Sequence, residues 1–277
     1  MISGRARLAG VMGWPVGHSR SPRLHGYWLE SYRLDGAYVP LAVPPERLEQ
    51  ALRALPALGF HGVNLTVPHK EAALALVDHV DSRARRIGAV NTIVVREDGS
   101  LEGRNTDAEG FLTNLREGAP DWRPDAGPVA VLGAGGAARA VVTALVDAGV
   151  KEIRLYNRSL DKATTLAREI GGPIHPGPWF GRSSALADTA LVVNTTTLGM
   201  VGQPPLDIEL SKLPPSAVVT DIVYSPLITP FLESARARGN VIVDGLGMLL
   251  HQAAPGFEAW FGVRPEVTAA LRAHVLG

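Results

Sequence analysis

The stretch of sequence that decides the fold is residues 129–138, which read VAVLGAGGAA. Its four apolar residues predict a short buried strand, and the glycines after them predict a tight turn into a helix. Gly133 permits the turn, Gly135 lets a ligand approach the backbone, and the small Ala138 allows close helix–strand packing. Free N–H groups at the start of that helix favour an anion, so the pattern predicts a Rossmann-type dinucleotide site. The alternative is a glycine-rich turn that binds no ligand. The residues expected at the pyrophosphate are Gly133, Ala134, Gly135, Gly136 and Ala137.

The end of the next strand indicates which dinucleotide is bound. Sites for NAD usually carry Asp or Glu about 20 residues after the glycines, where the acid binds the ribose hydroxyls. Here the strand ends with Asn157-Arg158-Ser159, and Lys162 follows one helical turn later. An arginine can bind a 2′-phosphate through a charge-assisted contact, whereas an acid would repel it. We therefore predict NADP (NADPH) as the cofactor; the alternative for these residues is a solvated basic helix start.

Short apolar runs alternate with helical segments along the chain. Further strands are predicted at 152–156, 191–194, 217–222 and 240–243. Short buried strands separated by helices are typical of a parallel sheet covered on both faces. The residues before 108 also alternate strand and helix, and Pro68 is expected to open a helix that carries Lys70. A Pro- and Gly-containing stretch at 117–128 separates the two regions, so we predict an α/β fold with two α/β domains.

The composition argues against several classes of protein. The 277 residues include 27 Lys+Arg and 27 Asp+Glu, and this balance argues against a nucleic-acid or anionic-membrane partner. The absence of Cys excludes disulfides, thiol nucleophiles and thiolate metal sites. The eight His lack ligand spacing, so no metal site is expected. No apolar run is long enough to span a bilayer and no signal cleavage site is evident, so we expect a soluble cytoplasmic protein.

Five segments rich in small polar side chains lie far apart in the chain, mostly at predicted strand ends, where open α/β sheets bind ligands. They are 18–22 (HSRSP), 64–70 (NLTVPHK), 88–92 (GAVNT), 105–110 (NTDAEG) and 244–252 (DGLGMLLHQ). Together with the nucleotide motifs, and in the same order, these segments resemble those of the shikimate dehydrogenase family. The resemblance covers nearly the whole chain, and five motifs in register are far more specific than any one of them.

The resemblance implies a reaction and an architecture. Members of this family carry out the NADPH-dependent, reversible reduction of 3-dehydroshikimate to shikimate in chorismate and aromatic amino-acid biosynthesis. A substrate domain and a Rossmann-type, doubly wound NADP domain are separated by a cleft. For this chain the resemblance implies a discontinuous substrate domain, residues 1–107 and 244–277, and an NADP domain of residues 108–243. The expected binding partner is this small-molecule substrate. The expected oligomeric state is a monomer or a homodimer.

The resemblance also implies a role for each matching residue. Lys70 and Asp107 match the catalytic pair at the reacting carbon. The residues that match substrate ligands are Ser19, Ser21, Asn64, Thr66, Asn91, Tyr224 and Gln252. Besides the glycine turn, those that match cofactor ligands are Asn157, Arg158, Ser159, Lys162, Asn194, Thr195, Ile222 and Gly245.

The chemistry of the catalytic pair suits such a reaction. Reducing a ketone with hydride leaves an alkoxide that must take up a proton, and a Lys ammonium held by an Asp is a suitable acid. The residues leave open which of Lys70 and Asp107 transfers the proton. Taken singly, Lys70 would most often be a solvated charge. Asp107 alone is an N-cap candidate for a helix from Ala108, and Ser21 is one for a helix from Pro22.

Two other functions stay open. One is a dehydrogenase that accepts quinate as well as shikimate. Relatives of that kind tend to carry Thr at one of the two serine positions, so Ser19 and Ser21 favour shikimate. The other is a protein that binds NADP or a shikimate-like metabolite without turnover, and the presence of both Lys70 and Asp107 argues against it.

Overall fold

The computed structural model describes residues 2–277, which form two compact units. The first unit comprises the residues up to Asp107 together with Leu249–Gly277, and the second comprises Ala108–Met248. Within residues 2–277 the strands are β1 (Arg7–Gly13), β2 (Gly36–Ala42), β3 (Phe60–Leu65), β4 (His79–Val80), β5 (Thr92–Val95), β6 (Leu101–Arg104), β7 (Val129–Leu132), β8 (Ile153–Asn157), β9 (Ile174–Pro178), β10 (Leu191–Asn194), β11 (Val218–Asp221) and β12 (Val241–Val243). The α-helices of the same residues are α1 (Ser21–Ser31), α2 (Leu48–Ala54), α3 (Ser82–Ile87), α4 (Asp107–Gly118), α5 (Gly136–Asp147), α6 (Leu160–Ile170), α7 (Pro230–Ala237), α8 (Leu246–Phe261) and α9 (Ala269–Leu276).

The first unit is built on a mixed sheet. Among the described residues its strands follow the order β2-β1-β3-β5-β6-β4. Strands β1, β2 and β3 are parallel, whereas β5 is antiparallel to both β3 and β6. The ends of β1, β3 and β6 and the beginning of β5 therefore lie at the same edge of the sheet. Polar segments that are far apart in the sequence are gathered at that edge.

The segment that carries Lys70 is a turn, so the prediction of a helix from Pro68 was wrong. Regular structure resumes only with a short 3-10 helix, Ala72–Ala75. The reason is a long-range hydrogen bond: the carbonyl oxygen of Lys70 accepts from the backbone N–H of Val90 at 2.8 Å. This bond ties the segment to the residues before β5, and the Leu74 N–H, which an α-helix would direct to that oxygen, donates to the Glu71 carbonyl oxygen at 3.2 Å instead.

Strand β3 is irregular at Gly62, where helix α8 packs on the sheet. The pairing of β1 with β3 shifts register between Leu8 and Ala9, and Gly62 has a φ of +153°. The buried indole Nε1 of Trp260, from α8, donates to the carbonyl oxygen of Ile93 at 2.9 Å. A Cβ on Gly62 would lie 2.0 Å from that oxygen and 2.2 Å from that nitrogen. Only glycine fits between the strand and the helix.

The second unit is built on a fully parallel sheet. Among the described residues the strand order is β12-β11-β10-β7-β8-β9, and every neighbouring pair is parallel. The chain winds outward from β7 through β8 and β9, then continues on the other side of β7 with β10. This reversal is the topological switch point of a doubly wound fold, where ligands bind beyond the strand ends. The predicted α/β fold class is confirmed, with a Rossmann-type second unit.

The chain returns to the first unit after Met248, whereas the sequence analysis placed this boundary after Val243. Strand β12 does end at Val243, but the residues after it still pack on the second unit. The side chain of Asn114 in α4 donates through Nδ2 to the carbonyl oxygen of Asp244 at 2.7 Å. A Cβ on Gly247 would lie only 1.9 Å from Asn114 Oδ1. The boundary therefore falls inside α8.

The helices are of ordinary globular length. Within residues 2–277 the longest is α8, with 16 residues, and it contains Pro255. In that same part of the chain, no helix combines the length and the apolar character that crossing a membrane requires.

Strand β11 ends on a buried acid. Asp221 is 0% exposed, and its carboxylate accepts hydrogen bonds from Asn194 Nδ2, the Val223 backbone N–H and the Thr229 hydroxyl, at 3.0, 2.9 and 2.8 Å. Burial raises the pKa of this carboxyl to about 6, and the three hydrogen bonds oppose the shift without cancelling it. The folded protein therefore holds this proton more tightly than the unfolded chain does.

The contacts of Gly62 predict a large loss of stability on substitution. We expect Gly62→Ala to lower the free energy of unfolding by about 3 kcal/mol or more, because the new methyl group overlaps backbone and indole atoms at an unfavourable φ. Gly26→Ala in α1 is the matched control, since a Cβ there meets nothing within 4 Å and removes only glycine flexibility. Urea unfolding measures both variants, and equal stability of the Gly62 variant and wild type would contradict the steric account.

The raised pKa of Asp221 predicts a pH-dependent stability. Stability from the protonated carboxyl is fully present below its unfolded pKa, near 4, and is lost as the pH rises through about 6. Asp221→Asn cannot ionise, so its free energy of unfolding relative to wild type should rise between acidic and neutral pH by at most about 3 kcal/mol. Urea titrations of both proteins without ligand test this. A difference that is the same at both pH values would show that the carboxyl does not titrate in this way.

Candidate active site

The polar segments of the first unit meet at one edge of its sheet. The loops after β1 and β3 leave from neighbouring strand ends, and the N–H of Trp14 donates to the carbonyl oxygen of Val67 at 3.0 Å. Strand β5 begins at this edge directly after Asn91, and β6 ends there just before Asn105. Side chains from four separate parts of the sequence are therefore within reach of one another.

An ion pair lies at this edge. Lys70 Nζ donates to Asp107 Oδ2 at 2.6 Å, and the two side chains are 16% and 4% exposed. This burial leaves the pair less screened by salt than a surface pair. Helix α4 begins at Asp107 itself, whose N–H donates to Asn105 Oδ1 at 3.0 Å. Asp107 is therefore not the N-cap of a helix from Ala108, and its carboxylate is engaged by Lys70 instead.

Asn91 connects the ion pair to the surrounding segments. Its Nδ2 lies 2.8 Å from Asp107 Oδ1, 2.9 Å from Thr106 Oγ1 and 3.1 Å from Gln252 Oε1. Its Oδ1 accepts from the Thr106 backbone N–H at 2.9 Å and from the Thr92 hydroxyl at 3.0 Å. Asn91 is 1% exposed, so its polar atoms depend on these partners. The amide thereby fixes the position of the Asp107 carboxylate.

Helix α8 is joined to this network through Gln252. The hydroxyl of Thr106 donates to the Gln252 carbonyl oxygen at 2.8 Å, and the Gln252 side chain accepts from Asn91. Gln252 Nε2 donates to the carbonyl oxygen of Leu249 at 3.0 Å. Sequence reasoning gave Thr106 no role, although its place in the Asn-Thr-Asp motif was a signal that could have found it.

Asn64 is hydrogen-bonded to Tyr38, whose ring stacks on that of His25. The Tyr38 hydroxyl donates to Asn64 Oδ1 at 2.7 Å, and Asn64 Nδ2 lies 3.2 Å from both the Asn91 carbonyl oxygen and the Thr92 hydroxyl. The His25 ring stacks on Tyr38 with centroids 3.8 Å apart and planes 6° from parallel. Burial lowers the pKa of His25 to about 3, so the ring is neutral near pH 7. Sequence reasoning missed both aromatic residues.

Ser19 lies between β1 and α1, Ser21 is the first residue of α1, and Thr66 directly follows β3. Helix α1 begins at Ser21, so Arg20 occupies the N-cap position and the capping prediction for Ser21 was wrong. The hydroxyl of Ser19 instead accepts from the Ser21 backbone N–H at 3.3 Å. Over the described range, 2–277, no hydrogen bond joins these three side chains to Asn91. Ser19 and Thr66 are half-buried and keep part of their surface accessible.

In the second unit, the glycine turn follows β7 at the switch point. Gly133 has a φ of +110°, its N–H donates to the Tyr156 carbonyl oxygen at 2.8 Å, and a Cβ on it would lie 2.7 Å from Thr195 Oγ1. Gly135 is the N-cap of α5, and a Cβ on it would meet nothing within 4 Å. The first turn of α5 carries no acidic residue. Ala134, Gly136 and Ala137 complete this segment. A helix N-terminus approached by open backbone suits a pyrophosphate.

The loop after β8 and the first turn of α6 carry two cationic groups. Asn157 Nδ2 donates to the Ser159 carbonyl oxygen at 2.9 Å, and the Ser159 hydroxyl caps α6 by accepting from the Lys162 N–H at 3.4 Å. Arg158 and Lys162 are exposed. Because β8 is the neighbour of β7, this loop lies next to the glycine turn at the same sheet edge. Its donors fit a phosphate group.

The remaining predicted cofactor residues lie on the other side of the glycine turn. Thr195 donates to the Leu132 carbonyl oxygen through both its N–H, at 2.9 Å, and its hydroxyl, at 2.6 Å. The N–H of Ile222 donates to the Asn194 carbonyl oxygen at 3.1 Å. A Cβ on Gly245 would lie 2.4 Å from the Ile222 carbonyl oxygen. Tyr224 follows two residues after Ile222 and is half-buried in this second unit.

Known families match the chain in three ranges. Residues 11–93 match the shikimate dehydrogenase substrate binding domain, and residues 124–197 match the shikimate / quinate 5-dehydrogenase family. Residues 245–273 match the shikimate 5′-dehydrogenase C-terminal domain. These ranges include Lys70, the glycine turn and Gln252.

Individual relatives align with this chain over nearly its full length. Shikimate dehydrogenase (NADP(+)) of Paramagnetospirillum magneticum is 67% identical over 275 residues, covering 99% of this chain and 100% of that protein. The crystal structure of shikimate 5-dehydrogenase from Thermus thermophilus, in complex with NADP(H) and shikimate, is 39% identical with a TM-score of 0.86, covering 97% and 98% of the two chains. Quinate dehydrogenase from Corynebacterium glutamicum, in complex with NAD, is 32% identical with a TM-score of 0.89, covering 98% and 99%. On this similarity, the chain belongs to the shikimate dehydrogenase family.

Proposed function

We propose that this protein is an NADP-dependent oxidoreductase that catalyses the reversible reduction of 3-dehydroshikimate to shikimate. The observation that carries the proposal is the ion pair of Lys70 and Asp107, held by Asn91 among hydroxyl and amide groups. The relative from Paramagnetospirillum magneticum carries this enzyme's name, and the Thermus thermophilus structure holds both NADP(H) and shikimate. Both support the same substrate and cofactor for this chain.

Lys70 is the group that serves the reacting oxygen. NADPH, when bound, supplies a hydride to the ketone carbon, so the ketone oxygen must gain a proton. The Lys70 ammonium has three N–H groups, of which one is bonded to Asp107. The others stabilise the developing alkoxide, and one delivers the proton. Asp107 keeps the ammonium in place, and Asn91 keeps Asp107 in place through the second carboxylate oxygen.

The other polar side chains of the first unit bind the substrate. Shikimate is a ring with three hydroxyls and one carboxylate, and these groups need hydrogen-bonding partners when they leave water. We assign Asn64, Thr66, Asn91 and Gln252 to the substrate, the hydroxyls of Ser19 and Ser21 to its carboxylate, and Tyr224 of the second unit to the ligand as well. The first unit is then the substrate domain.

The second unit holds the cofactor. Backbone N–H groups of residues 133–137 bind the pyrophosphate, as the open backbone at Gly135 supports. Asn157, Arg158, Ser159 and Lys162 bind the 2′-phosphate end. Asn194, Thr195, Ile222 and Gly245 bind the nicotinamide end.

Removal of the Lys70 ammonium should reduce the rate constant of the reaction. In Lys70→Met the stem of the side chain remains and the donor is lost, so we expect kcat for shikimate oxidation to fall by about 10²–10⁴-fold, with a much smaller change in KM. Lys212→Met, at an exposed position of the second unit, is the control and should behave as wild type. Initial rates of NADPH formation measure both. A Lys70 variant that retains kcat would remove this residue from proton transfer.

Arg158 should determine the preference for NADP over NAD. Arg158→Ala loses a charged hydrogen bond to the 2′-phosphate, so KM for NADP should rise by about 10-fold or more while KM for NAD stays constant. Arg168→Ala, an exposed position near the other end of α6, is the matched control. An unchanged ratio of the two KM values in Arg158→Ala would contradict the assignment.

A dehydrogenase of dual substrate range is the second candidate, because a quinate dehydrogenase is 32% identical over nearly the whole chain. A matrix of initial rates, crossing shikimate and quinate with NADP and NAD, separates the candidates. We expect shikimate with NADP to give by far the highest kcat/KM. Comparable values for quinate would favour the second candidate, and ligand binding without turnover would indicate a non-catalytic protein.

A further inference from the structure

The buried carboxylate of Asp221 has no evident task in proton transfer or in ligand binding. It accepts hydrogen bonds only from neutral donors, and within residues 2–277 no cationic side chain pairs with it. Placing a carboxylate in such surroundings costs stability. Its three donors come from different segments at the cofactor edge of the second unit, which indicates what the carboxylate holds together.

The first of these segments is the loop after β10. Asn194 Nδ2 donates to Asp221 Oδ1 at 3.0 Å and to the Leu198 carbonyl oxygen at 3.1 Å. On its other side, Asn194 Oδ1 accepts from the backbone N–H and the hydroxyl of Thr196, at 3.0 and 2.7 Å. The orientation of one amide therefore sets the path of residues 194–198, and Asp221 helps to fix that orientation together with the Leu198 carbonyl oxygen and the donors of Thr196.

The second segment is the stretch directly after β11. The same Oδ1 of Asp221 accepts from the Val223 backbone N–H at 2.9 Å, so the chain bends back over the carboxylate between Ile222 and Tyr224. Gly245 packs closely against the same stretch. A Cβ there would lie 2.4 Å from the Ile222 carbonyl oxygen and 2.6 Å from that of Val223. The backbone of residues 222–223 is thus fixed from two sides.

The third donor comes from the start of α7. The Thr229 hydroxyl donates to Asp221 Oδ2 at 2.8 Å and accepts from the Leu232 N–H at 3.3 Å as the N-cap of the helix. Asp221 thereby anchors the loop 222–229 at both of its ends.

We propose that Asp221 is a positioning residue for the nicotinamide half of the cofactor, acting through the loop 194–198 and the stretch 222–224. The inference rests on the proposed function, because it takes Asn194, Thr195, Ile222 and Gly245 as the nicotinamide end of the NADP site. Asp221 has no part at the adenine end, where Arg158 follows β8 and Lys162 lies in the first turn of α6, and neither residue bonds to Asp221.

The experiment compares two ligands that share only the adenine half. NADP⁺ occupies the whole site, whereas adenosine 2′,5′-bisphosphate carries the 2′-phosphate and lacks the nicotinamide. Calorimetric titration of the full chain gives Kd for each. In Asp221→Ala, which removes all three acceptor contacts, we expect Kd for NADP⁺ to rise at least fivefold and Kd for the bisphosphate to stay within twofold of wild type. Asp207→Ala, at a 99% exposed side chain of the same unit, is the control and should change neither.

A conservative variant separates positioning from charge. Asp221→Asn keeps one carbonyl oxygen that can accept from Val223 and Asn194, so it should restore Kd for NADP⁺ to within about twofold of wild type. If Asp221→Ala does not fold, Asp221→Ser, which keeps a single oxygen at a shorter reach, is judged by the same two constants.

The outcomes are distinct. Parallel weakening of both ligands, no weakening of either, or failure of Asp221→Asn to restore NADP⁺ binding would each overturn the inference. Wild-type protein that binds neither NADP⁺ nor the bisphosphate would instead contradict the proposed function.

Discussion

The direction of a single strand determines whether Asn91 can join the ion pair of Lys70 and Asp107 in the first unit. Strand β5 lies between β3 and β6 and runs opposite to both. Asn91, directly before β5, therefore stands beside the residues that follow β3 and β6. If β5 ran parallel to its neighbours, Asn91 would lie at the far edge of the sheet, roughly a strand length away from Asp107. The hydrogen bonds from Asn91 to Asp107, Thr106 and Gln252 therefore depend on this reversal.

The second unit also gathers its loops at one edge of a sheet, but without an antiparallel strand. Its strands are all parallel, so their carboxyl ends coincide at one edge without any reversal. Close contacts at this edge are made by the backbone, and glycines stand where two segments touch. Gly133 meets Thr195, and Gly245 meets the carbonyl oxygens after β11. A methyl group at either position would separate loops that lie side by side at this edge of the sheet.

The parts that could be predicted from sequence are those with a local cause. The turn after β7 requires a strand, glycines and a helix start within ten consecutive positions, and this pattern can be recognised directly. The fold class followed from similar local patterns. The turn at Lys70 was not predictable in this way, because the carbonyl oxygen of Lys70 is bonded by the N–H of Val90, 20 positions later in the chain. The same holds for the support of Asn64 by Tyr38, which is 26 residues away and has no signal of its own.

The contacts of Asn91 have a consequence for how a ligand is received. An amide nitrogen carries two hydrogens, yet three oxygens lie within hydrogen-bonding distance of Asn91 Nδ2. At any moment Asn91 can therefore donate a full hydrogen bond to only two of the three acceptors on Thr106, Asp107 and Gln252. A polyol that enters the site brings hydroxyl hydrogens of its own and can supply the missing one. The three acceptors around Asn91 Nδ2 are thus complementary to one further donor, such as a hydroxyl, and not to a group that only accepts.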